Sequence, residues 1–357
     1  MSRFHKLLVT DVRKTTREAS IVSLQPEDAA RFEFEFVPGQ YLTFRHSSDE
    51  GEELRRSYSL CSAPDEGVLQ VGVKKVEGGV FSTWVNETLK PGMTLEAMPP
   101  MGGFHQPFDT PAPRQFLAFA VGSGITPILS IMKALLTDQP QNRFALVFAN
   151  RSINTIMFRD ELEDLKNRFL GRMNIVHILK TGGDDAALFQ GRLDRAKCDQ
   201  LLAHWIDARA VDRAYICGPE PMMHDIAASL REQGLNETQI RFELFGSTPK
   251  PRRSAARSSK APTTDRVAAT LTLDGATSEV GTTRDISILD TALQNGLDAP
   301  FACKAGVCST CKCKVLAGEV EMVANHALED YEVADGYVLS CQAFAVSDAV
   351  SVVYEDH

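Results

Sequence analysis

The feature that most constrains this chain is a group of cysteines toward its carboxyl end. Cys303, Cys308 and Cys311 form a C-x4-C-x2-C run, and Cys341 follows much later in the sequence. This is the spacing of [2Fe–2S] sites in which one loop supplies three thiolates and a distant residue supplies the fourth. Small residues between the cysteines let the loop turn its sulfurs inward, and Gly306 can adopt a positive φ there. The spacing therefore predicts a binuclear iron–sulfur site.

Zinc binding, a disulfide and simple packing as small hydrophobic residues are the alternatives for these cysteines. Zinc sites usually combine two C-x2-C pairs or mix Cys with His, and this spacing does neither. Cys313 adds a further thiol directly after the run. The x4/x2 spacing favours Cys311 as the ligand and leaves Cys313 as a strand residue beyond the loop.

Length and composition predict a soluble protein of more than one domain. At 357 residues the chain is long enough for two or three domains. Its amino terminus lacks the apolar core of a signal peptide, and no stretch approaches the roughly eighteen apolar residues of a membrane span. Half of the eight cysteines fall in the one motif, which fits a reducing compartment. We expect a cytoplasmic protein that does not contact membranes.

The negative charge of the chain is concentrated at its carboxyl end. Residues 267–357 contain 14 acidic and 4 basic residues, so that this part accounts for the net charge of −9 and the rest is near neutral. Solubility explains most of this charge. Acidity can also steer the cysteine-bearing part toward a basic surface on a redox partner. Nucleic acid is disfavoured as a partner.

Patterning divides the chain into four parts. Residues 1–108 contain short apolar runs separated by Gly and Pro turns, which predicts an antiparallel β-barrel. Residues 109–245 alternate apolar strands with helical patterns, which predicts a doubly wound parallel sheet. Residues 246–265 are rich in Ser, Pro, Thr and basic residues and are predicted to be a flexible linker. Residues 266–357 are predicted to form a small α+β domain, a sheet wrapped on one helix.

The first motif with chemical potential lies in the predicted barrel. Side chains alternate along a strand, so in Arg56-Ser57-Tyr58-Ser59 the Arg56 and Tyr58 side chains share a face. A guanidinium can bind a phosphate while an aromatic ring stacks on a flat heterocycle. An ordinary half-buried strand would explain the same four residues.

A second motif, Gly78-Gly79-Val80-Phe81-Ser82, precedes a helical pattern. Glycines at a helix start let backbone N–H groups approach an anion, and Ser82 adds a hydroxyl. A plain helix start capped by Ser82 is the alternative.

A third motif, Gly122-Ser123-Gly124-Ile125-Thr126-Pro127, joins an apolar strand to a helix. Thr126 is predicted as the N-cap and Pro127 as the first helical residue. A glycine-rich turn at a helix N-terminus is suited to a pyrophosphate. The motif differs from the G-x-G-x-x-G fingerprint, so an ordinary dinucleotide fold does not follow from it.

A fourth motif, Cys217-Gly218-Pro219, ends another predicted strand. It predicts a tight turn at the carboxyl edge of the sheet, where open α/β sheets bind ligands. Cys217 could also be a buried small hydrophobic residue.

These motifs, in this order and with a trailing cysteine loop, resemble the ferredoxin–NADP reductase superfamily fused to a C-terminal plant-type [2Fe–2S] ferredoxin domain. The resemblance covers almost the whole chain and includes residues 336–342 around Cys341. It implies an FAD-binding barrel in residues 1–108, an NAD(P)-binding α/β domain in 109–245 and a β-grasp ferredoxin domain in 266–357. Within the superfamily, the domain order and the run 53–59 are most similar to reductase components of oxygenases that act on aryl-CoA thioesters.

The resemblance also implies roles for matching residues. The catalytic residues beside the flavin and the nicotinamide would be Ser59, Cys217 and Glu243. The flavin-binding residues would be Arg56, Tyr58, Ser59, Gly79, Ser82, Phe104 and Phe245. The nicotinamide-binding residues would be Gly122, Gly124, Thr126, Pro127, Gly218 and Pro219. The cluster ligands would be Cys303, Cys308, Cys311 and Cys341.

Two choices of cofactor are open, FAD or FMN and NADPH or NADH. The segment 99–105, which contains Phe104, resembles the loop that stacks on adenine in FAD-dependent relatives, so we expect FAD. Asn150-Arg151-Ser152 follows the second strand of the predicted sheet, where no acidic residue is present to bind a ribose 2′-hydroxyl. Arg151 and Ser152 could bind a 2′-phosphate instead, which favours NADPH, with NADH as the alternative.

The resemblance implies an enzyme, an electron-transfer reductase that takes electrons from NADPH through FAD and the [2Fe–2S] cluster. The acceptor it implies is the di-iron oxygenase component of a multicomponent epoxidase that acts on an aromatic-ring CoA thioester. Reductases of ring-hydroxylating dioxygenases, demethylases or other oxygenases share this build and are the alternatives. A non-enzymatic redox carrier or sensor is less compatible with the predicted nicotinamide site.

Overall fold

The structure, a computed structural model, describes residues 4–47, 51, 53–105, 112–182, 186–245 and 266–354. The chain divides into two compact units, Met1–Phe245 and Gly246–His357. The predicted linker 246–265 and the predicted domain boundary after residue 108 lie outside the described residues. Among the described helices, none is long and apolar enough to cross a membrane.

The first sheet is an antiparallel barrel. Its strands are β1 (His5–Thr16), β2 (Ala19–Pro26), β3 (Tyr41–Ser47), β4 (Glu53–Ser59), β5 (Leu69–Lys74) and β6 (Thr94–Ala97). They are arranged in the order β4-β3-β6-β1-β2-β5. An antiparallel bridge between Leu60 and Val71 joins the two outer strands, so the sheet closes as the predicted β-barrel does.

The barrel interior is filled by alternate residues of its strands and by one helix. Leu7, Val9 and Leu42 are fully buried in this core. Helix α1 (Val80–Glu87) covers one side and buries Phe81 and Val85 against the same core. The Gly78-Gly79 turn therefore starts a helix that is held to the barrel by apolar packing.

The second sheet is a doubly wound α/β layer, as predicted. Its elements in chain order are β7 (Gln115–Val121), α2 (Ile125–Asp138), β8 (Arg143–Asn150), α3 (Arg159–Arg168), β9 (Met173–Leu179), α4 (Arg195–His204), β10 (Arg213–Gly218), α5 (Glu220–Glu232) and β11 (Ile240–Leu244). The strands are parallel and follow the order β11-β10-β7-β8-β9. Strand order reverses between β7 and β10, which is where such sheets bind ligands.

The four helices of this layer are divided between the two faces of the sheet. Ile128 of α2 and Leu162 of α3 belong to one core, and Leu201 of α4 and Ile226 of α5 belong to the other. Because both faces are covered, the strands are apolar throughout: in β7 the residues Phe116–Ala120 are all buried.

The start of helix α2 differs from the prediction. Thr126 is predicted as the N-cap, but Gly124 occupies that position, after a 3₁₀ turn over Gly122–Gly124. The Thr126 hydroxyl instead donates a hydrogen bond of 3.0 Å to the Ser123 carbonyl from within the first helical turn. Pro127 accordingly lies in that first turn as well, where a missing N–H costs little.

The barrel and the α/β layer form one compact unit with a shared core. Ala19, Ile21, Cys61 and Phe104 of the barrel segment pack into the same apolar cluster as helices α2 and α3. Buried apolar contact of this kind fixes two layers relative to one another, in contrast to a polar inter-domain surface.

The second compact unit is an α+β domain of the β-grasp type. Its elements are β12 (Arg266–Leu273), β13 (Ala276–Thr283), α6 (Ile288–Gln294), β14 (Lys312–Ala317), β15 (Val320–Met322), α7 (Asp330–Ala334), β16 (Tyr337–Leu339), β17 (Ala343–Ala345) and β18 (Ala349–Val353). The main sheet has the order β13-β12-β18-β14-β16, and β15 pairs with β17. Ser287 caps α6 by accepting a hydrogen bond from the Asp290 N–H at 3.1 Å, as predicted.

Candidate functional site

The barrel and the α/β layer meet at a hydrogen bond between two predicted catalytic residues. The Ser59 hydroxyl, at the end of β4, donates to Glu243 Oε2 at 2.9 Å across 184 positions of sequence. Glu243 lies in β11 directly beside Cys217 of β10 in the parallel register. The fold therefore brings Ser59, Cys217 and Glu243 to one edge of the sheet.

Cys217 lies against the glycine-rich turn that precedes α2. A Cβ atom added to Gly124 would lie 2.2 Å from the Cys217 carbonyl oxygen and 3.1 Å from its sulfur. Only glycine allows this approach, because real Cβ atoms do not come so close to backbone oxygen. The turn after β7 and the end of β10 are thus in close contact at the switch point, the place where strand order reverses between β7 and β10.

Burial controls the ionisation of the two titratable groups at this edge. Burial raises the pKa of Glu243 to about 8, and the hydrogen bond from Ser59 partly opposes that shift. Burial also raises the pKa of the Cys217 thiol well above its usual value, and the Glu243 carboxylate adds to the rise. Around neutral pH both groups are therefore held in their protonated forms.

The rest of the predicted nicotinamide turn is arranged around the same point. Gly122 has φ of +56°, which favours glycine, and Thr126 and Pro127 are buried in the first turn of α2. The backbone N–H groups of a first helical turn lack intrahelical partners, and those of α2 lie at the switch point. This end of the helix is a favourable environment for an anion.

Lys74 is a candidate binding residue that the sequence did not reveal. Its ammonium nitrogen would lie 3.6 Å from a Cβ atom built on Gly122, so the barrel supplies a cation to the glycine turn. Lys74 ends β5 in a strand with no recognisable motif. A phosphate at this turn would meet both the helix N-terminus and this charge.

Gly218, Pro219 and Phe245 surround the same edge. Gly218 is buried at the end of β10, and Pro219 is the N-cap of α5. A Cβ atom on Gly218 would lie 2.6 Å from the Met222 methyl group and 3.1 Å from the Val121 Cβ, so a larger residue here would displace the Met222 side chain. Phe245 follows β11 with 37% of its surface exposed, an available ring beside Glu243.

The predicted flavin strand presents an exposed guanidinium and a half-buried phenol. Arg56 is exposed and donates to the Arg55 carbonyl at 2.7 Å. Tyr58 stacks on Phe81 with ring centroids 5.6 Å apart. Burial raises the pKa of Tyr58, and the Arg56 guanidinium partly opposes this rise, so Arg56 and Tyr58 are neighbours on the strand.

Gly79 and Ser82 form the start of α1. The Ser82 hydroxyl donates to the Gly79 carbonyl at 3.2 Å and accepts from the Val76 N–H at 3.1 Å. A Cβ atom on Gly79 would lie 2.6 Å from the Ser82 hydroxyl oxygen. Ser82 therefore shapes the turn that would receive a pyrophosphate.

Phe104, the predicted adenine-stacking residue, is only 6% exposed. Its ring packs edge-to-face on Tyr215 of β10 at a centroid distance of 5.5 Å. The adjacent His105 hydrogen-bonds to the Tyr215 hydroxyl at 2.7 Å. The structure thus uses Phe104 and His105 to hold the end of the segment 99–105 against the α/β layer, and stacking of Phe104 on adenine stays a prediction.

Arg151 and Ser152 follow β8 at the same carboxyl edge of the sheet. Arg151 is exposed, and its carbonyl accepts hydrogen bonds from the Thr181 N–H and hydroxyl at 2.9 and 3.0 Å. The loop after β9 thereby fixes the loop that carries Arg151. An exposed guanidinium at this edge suits a phosphate ligand.

The four predicted cluster ligands fall into two pairs. The Cys308 thiol lies 3.2 Å from the Cys303 sulfur, and Cys341 is the neighbour that most strongly raises the pKa of the Cys311 thiol. The Ser340 hydroxyl donates to the Cys311 carbonyl at 2.9 Å, which ties the distant cysteine to the loop. Two pairs of thiols match a binuclear cluster, in which each iron takes two thiolates.

The backbone of the loop is shaped to point N–H groups at sulfur. The hydrogen bond from Cys308 is the main cause that lowers the pKa of Cys303 below its usual range, and backbone N–H groups of residues 305, 307 and 308 add to it. The Ala305 N–H lies 3.3 Å from the Cys303 sulfur. Gly306 has φ of +76°, and a Cβ atom there would lie 2.8 Å from the Ala324 carbonyl oxygen. Within the loop this favours the thiolate of Cys303, whereas the neighbouring thiols and burial raise the pKa values of Cys308 and Cys311.

Cys313 lies outside this arrangement, as predicted from the spacing. It belongs to β14, pairs with Val338 of β16, and is buried in the core of the domain. Burial raises the pKa of its thiol. Its place in a paired strand, with its side chain in the apolar core, is that of a packing residue.

Family models match all three parts of the chain. The description "Oxidoreductase FAD-binding domain" matches residues 6–106, "Oxidoreductase NAD-binding domain" matches 119–228, and "2Fe-2S iron-sulfur cluster binding domain" matches 271–346. These matches define the class: the chain is an NAD(P)H-dependent oxidoreductase with flavin, nicotinamide and [2Fe–2S] domains in that order.

Relatives are similar over nearly the full length. The chain is 41% identical to a component of the 1,2-phenylacetyl-CoA epoxidase of Escherichia coli over 99% of both chains. It is 33% identical to the ferredoxin reductase component of 3-ketosteroid-9-alpha-monooxygenase of Rhodococcus rhodochrous, over 96% of this chain and 94% of that one. The solved structure of phthalate dioxygenase reductase matches 98% of both chains with a TM-score of 0.60 at 23% identity.

The chain belongs to the ferredoxin–NADP reductase superfamily, in the family of oxygenase reductases with a C-terminal plant-type [2Fe–2S] domain that includes the phenylacetyl-CoA epoxidase component. The resemblance derived from the sequence motifs is thereby confirmed. The likeness to phthalate dioxygenase reductase supports the same fold.

Proposed function

We propose that this protein is the reductase component of a phenylacetyl-CoA epoxidase, which serves aerobic phenylacetate degradation in the cytoplasm. Electrons would pass from NADPH through FAD and the [2Fe–2S] cluster to the di-iron oxygenase component. The observation that carries the proposal is the 41% identity to the Escherichia coli epoxidase component over 99% of both chains. The 33% identity to a monooxygenase reductase of a different substrate supports the oxygenase-reductase role in general and keeps other oxygenases as the alternative acceptor.

The residues at the switch point suit transfer between a nicotinamide and a flavin. When bound, the flavin accepts a hydride from the nicotinamide, and the cluster delivers electrons singly to the acceptor. In the proposal, Arg56 and Tyr58 bind the flavin, and Ser59 and Glu243 hydrogen-bond beside its reacting edge. Cys217 and the Gly122–Gly124 turn hold the nicotinamide close to that edge. Such positioning is the main contribution that a protein makes to hydride transfer.

A protonated Glu243 is a consistent part of this proposal. With the pKa of Glu243 raised to about 8 by burial, the carboxyl can donate a hydrogen bond at neutral pH, whereas a carboxylate could only accept. Charge that develops on the flavin during reduction would meet this donor. The proton on Glu243 would thus favour the reduced flavin.

For the cluster, we propose that Cys303 and Cys308 bind one iron and Cys311 and Cys341 bind the other. The two pairs of neighbouring sulfurs support this division. Backbone N–H groups directed at Cys303 would stabilise negative charge on the cluster and so influence its reduction potential.

Anaerobic mixing with NADPH tests the reductase role. The expected result is bleaching of the flavin absorbance, followed by bleaching of the cluster absorbance, at a saturable rate. A spectrum that NADPH leaves unchanged would contradict the proposal. The same experiment with NADH measures the cofactor preference, for which we expect a higher kcat/KM with NADPH.

A reconstituted oxygenation assay tests the acceptor. The reductase, the oxygenase component of a phenylacetyl-CoA epoxidase, NADPH and phenylacetyl-CoA are combined, and the epoxide product is quantified against a mixture without reductase. Product above that control supports the assignment. Absence of product, together with turnover of a dioxygenase or another oxygenase component in a parallel mixture, would move the assignment to the alternative acceptor.

A further inference from the structure

Helix α2 contacts both the proposed nicotinamide turn and the barrel segment that follows the proposed flavin strand. The helix begins at the Gly122–Gly124 turn, and Ser130 and Lys133 lie farther along it on one face. The segment 62–66 of the barrel, which starts three residues after Ser59, packs against this face. One helix thus carries the nicotinamide turn at its start and the exit of the flavin strand along its side.

Two polar contacts join α2 to this segment; one is fully buried, and in the other Lys133 is buried while the Glu66 side chain is 37% exposed. The Ser130 hydroxyl donates to the Ser62 carbonyl at 2.7 Å, and both residues are fully buried. The Lys133 ammonium lies 3.0 and 3.1 Å from the two carboxylate oxygens of Glu66, with only 7% of the Lys133 side chain exposed. The buried Ser130 hydroxyl and Lys133 ammonium accept few alternative geometries, because each would be left unsatisfied if its partner were displaced.

Glu66 transmits this contact to the backbone of the barrel segment. Its second carboxylate oxygen also accepts a hydrogen bond from the Ala63 N–H at 3.0 Å, and the short helix Pro64–Glu66 depends on that contact. The carboxylate therefore fixes the chain just beyond Ser59 to Lys133.

A second carboxylate keeps Lys133 charged and fixed in place. Lys133 also forms a hydrogen-bonded ion pair with Glu161 of α3. Burial alone would lower the pKa of Lys133, but the Glu161 and Glu66 carboxylates together raise it above its usual value. Arg13 of β1 lies 3.6 Å from Glu161, so the group of charges contains two carboxylates and two cations and spans the barrel and the α/β layer.

Close backbone packing marks the same boundary. A Cβ atom on Gly72 of β5 would lie 2.7 Å from the Thr126 methyl group and 2.8 Å from the Phe158 ring. Phe158 itself has φ of +58°, and its N–H donates to the Thr15 hydroxyl at 2.6 Å. The barrel therefore contacts the first turn of α2 without space for adjustment.

We propose that Lys133 is a positioning residue for hydride transfer, which acts by joining the segment after Ser59 to the helix that starts at the nicotinamide turn. The proposal rests on the proposed function, because it assumes transfer between a nicotinamide and a flavin at this edge. Hydride transfer depends steeply on the separation of donor and acceptor, and a displacement of about 1 Å can cost on the order of 100-fold in rate. The ion group around Lys133 holds that separation.

The test uses the holoenzyme and single-turnover flavin reduction by NADPH and by NADPH carrying deuterium at the transferred position. Two variants break the contact: Glu66→Gln removes one charge of the pair at a partly exposed position, and Lys133→Met leaves Glu66 and Glu161 without their shared cation. Asp65→Asn, which removes a charge from the neighbouring exposed residue, is the matched control. Flavin content is measured for each protein, and rates are expressed per bound flavin.

The expected result is a limiting rate lowered about threefold by Glu66→Gln and about tenfold or more by Lys133→Met, with the Kd for NADPH changed by less than about twofold. The primary isotope effect should rise in both variants, and Asp65→Asn should behave as the wild type.

Unchanged limiting rates and isotope effects per bound flavin in Glu66→Gln would overturn the proposal even if Lys133→Met failed to fold. A change confined to flavin content or to Kd would also overturn it, since it would indicate a structural role only. A wild-type flavin that NADPH does not reduce would contradict the proposed function as well.

Discussion

The cysteine loop and the cofactor edge, meaning the sheet edge of the first unit with Ser59, Cys217 and Glu243, are both candidate redox sites. They differ in how far apart their residues lie in the sequence. Three of the four cluster thiols come from nine consecutive residues, 303–311. Ser59 and Glu243, which share a hydrogen bond at the cofactor edge, are 184 positions apart. A local site is specified by spacing and loop conformation, whereas a dispersed site exists only when two layers are packed correctly. Substitutions should therefore act differently in the two regions.

The largest effect is expected in the cysteine loop. Cys308→Ser removes one thiolate of the pair formed with Cys303, so the cluster should be lost and electron delivery to the acceptor should fall to background. Reduction of the flavin by NADPH should persist, because that site lies in the other unit. Absorbance and electron paramagnetic resonance spectra, with iron content, measure the outcome.

Cys313→Ala is the matched control for that experiment. Cys313 is buried in β14 and pairs with Val338, away from the two thiol pairs. The variant should retain the cluster spectrum while it loses some stability from the small cavity, about 1 kcal/mol. Loss of the cluster in Cys313→Ala with retention in Cys308→Ser would reverse our ligand assignment.

At the cofactor edge, the substitution expected to slow flavin reduction most is at Gly124, where the backbone lies close to Cys217. Gly124→Ala would direct a methyl group to within 2.2 Å of the Cys217 carbonyl oxygen, so the turn and β10 must separate. We expect flavin reduction to slow about 100-fold with a destabilisation of about 1–3 kcal/mol. Stopped-flow reduction and thermal unfolding measure the two effects.

Gly281→Ala serves as the control for the glycine experiment. A Cβ atom there would meet no atom within 4 Å, and Gly281 lies in β13 of the other unit. If Gly124→Ala reduced its flavin as fast as Gly281→Ala, the close approach at the switch point would have no functional role.

A smaller effect is expected for the side chain proposed to select NADPH. Arg151 is exposed at the end of β8, so its replacement should not disturb the fold. Arg151→Ala should raise the KM for NADPH about tenfold, as expected for the loss of one charge-assisted contact to phosphate. The KM for NADH should be unchanged, which makes NADH the internal control. An equal rise for both cofactors would contradict a role in binding the 2′-phosphate.

The smallest effect concerns the pH dependence of stability at the cofactor edge. Because the pKa of Glu243 is raised to about 8, the folded state binds more protons than the unfolded state between about pH 4.5 and pH 8. The contribution of Glu243 to stability is therefore present at low pH and is lost as the pH rises through 8. Relative to Glu243→Gln, the Tm of the wild type should fall by several degrees from pH 5 to pH 8. Parallel curves for the two proteins would show that Glu243 is not shifted.

Residues of the local site could be predicted from the sequence more fully than residues of the dispersed site. The cysteine spacing predicted Cys311 as a ligand and Cys313 as a strand residue; the structure places Cys313 in a strand, and the choice of ligand stays a prediction. The glycine motifs predicted the turns at the sheet edge, although Thr126 proved not to be the N-cap. No motif marks β11, which carries Glu243, so the role of Glu243 followed only from the resemblance. Lys74 and Lys133 have no motif at all, because their importance comes from what they approach in space.

The sequence by itself determined the class of this protein, the order of its layers and the chemistry of its cysteine loop. Those properties depend on period, spacing and residue type within short segments, and these are visible in a linear chain. Only the tertiary structure decided which distant residues meet: Ser59 with Glu243, Gly124 with Cys217, and Lys133 with Glu66. The physical reason is that these contacts depend on close packing within the α/β layer and between it and the barrel, where gaps of a few tenths of an ångström decide which atoms touch.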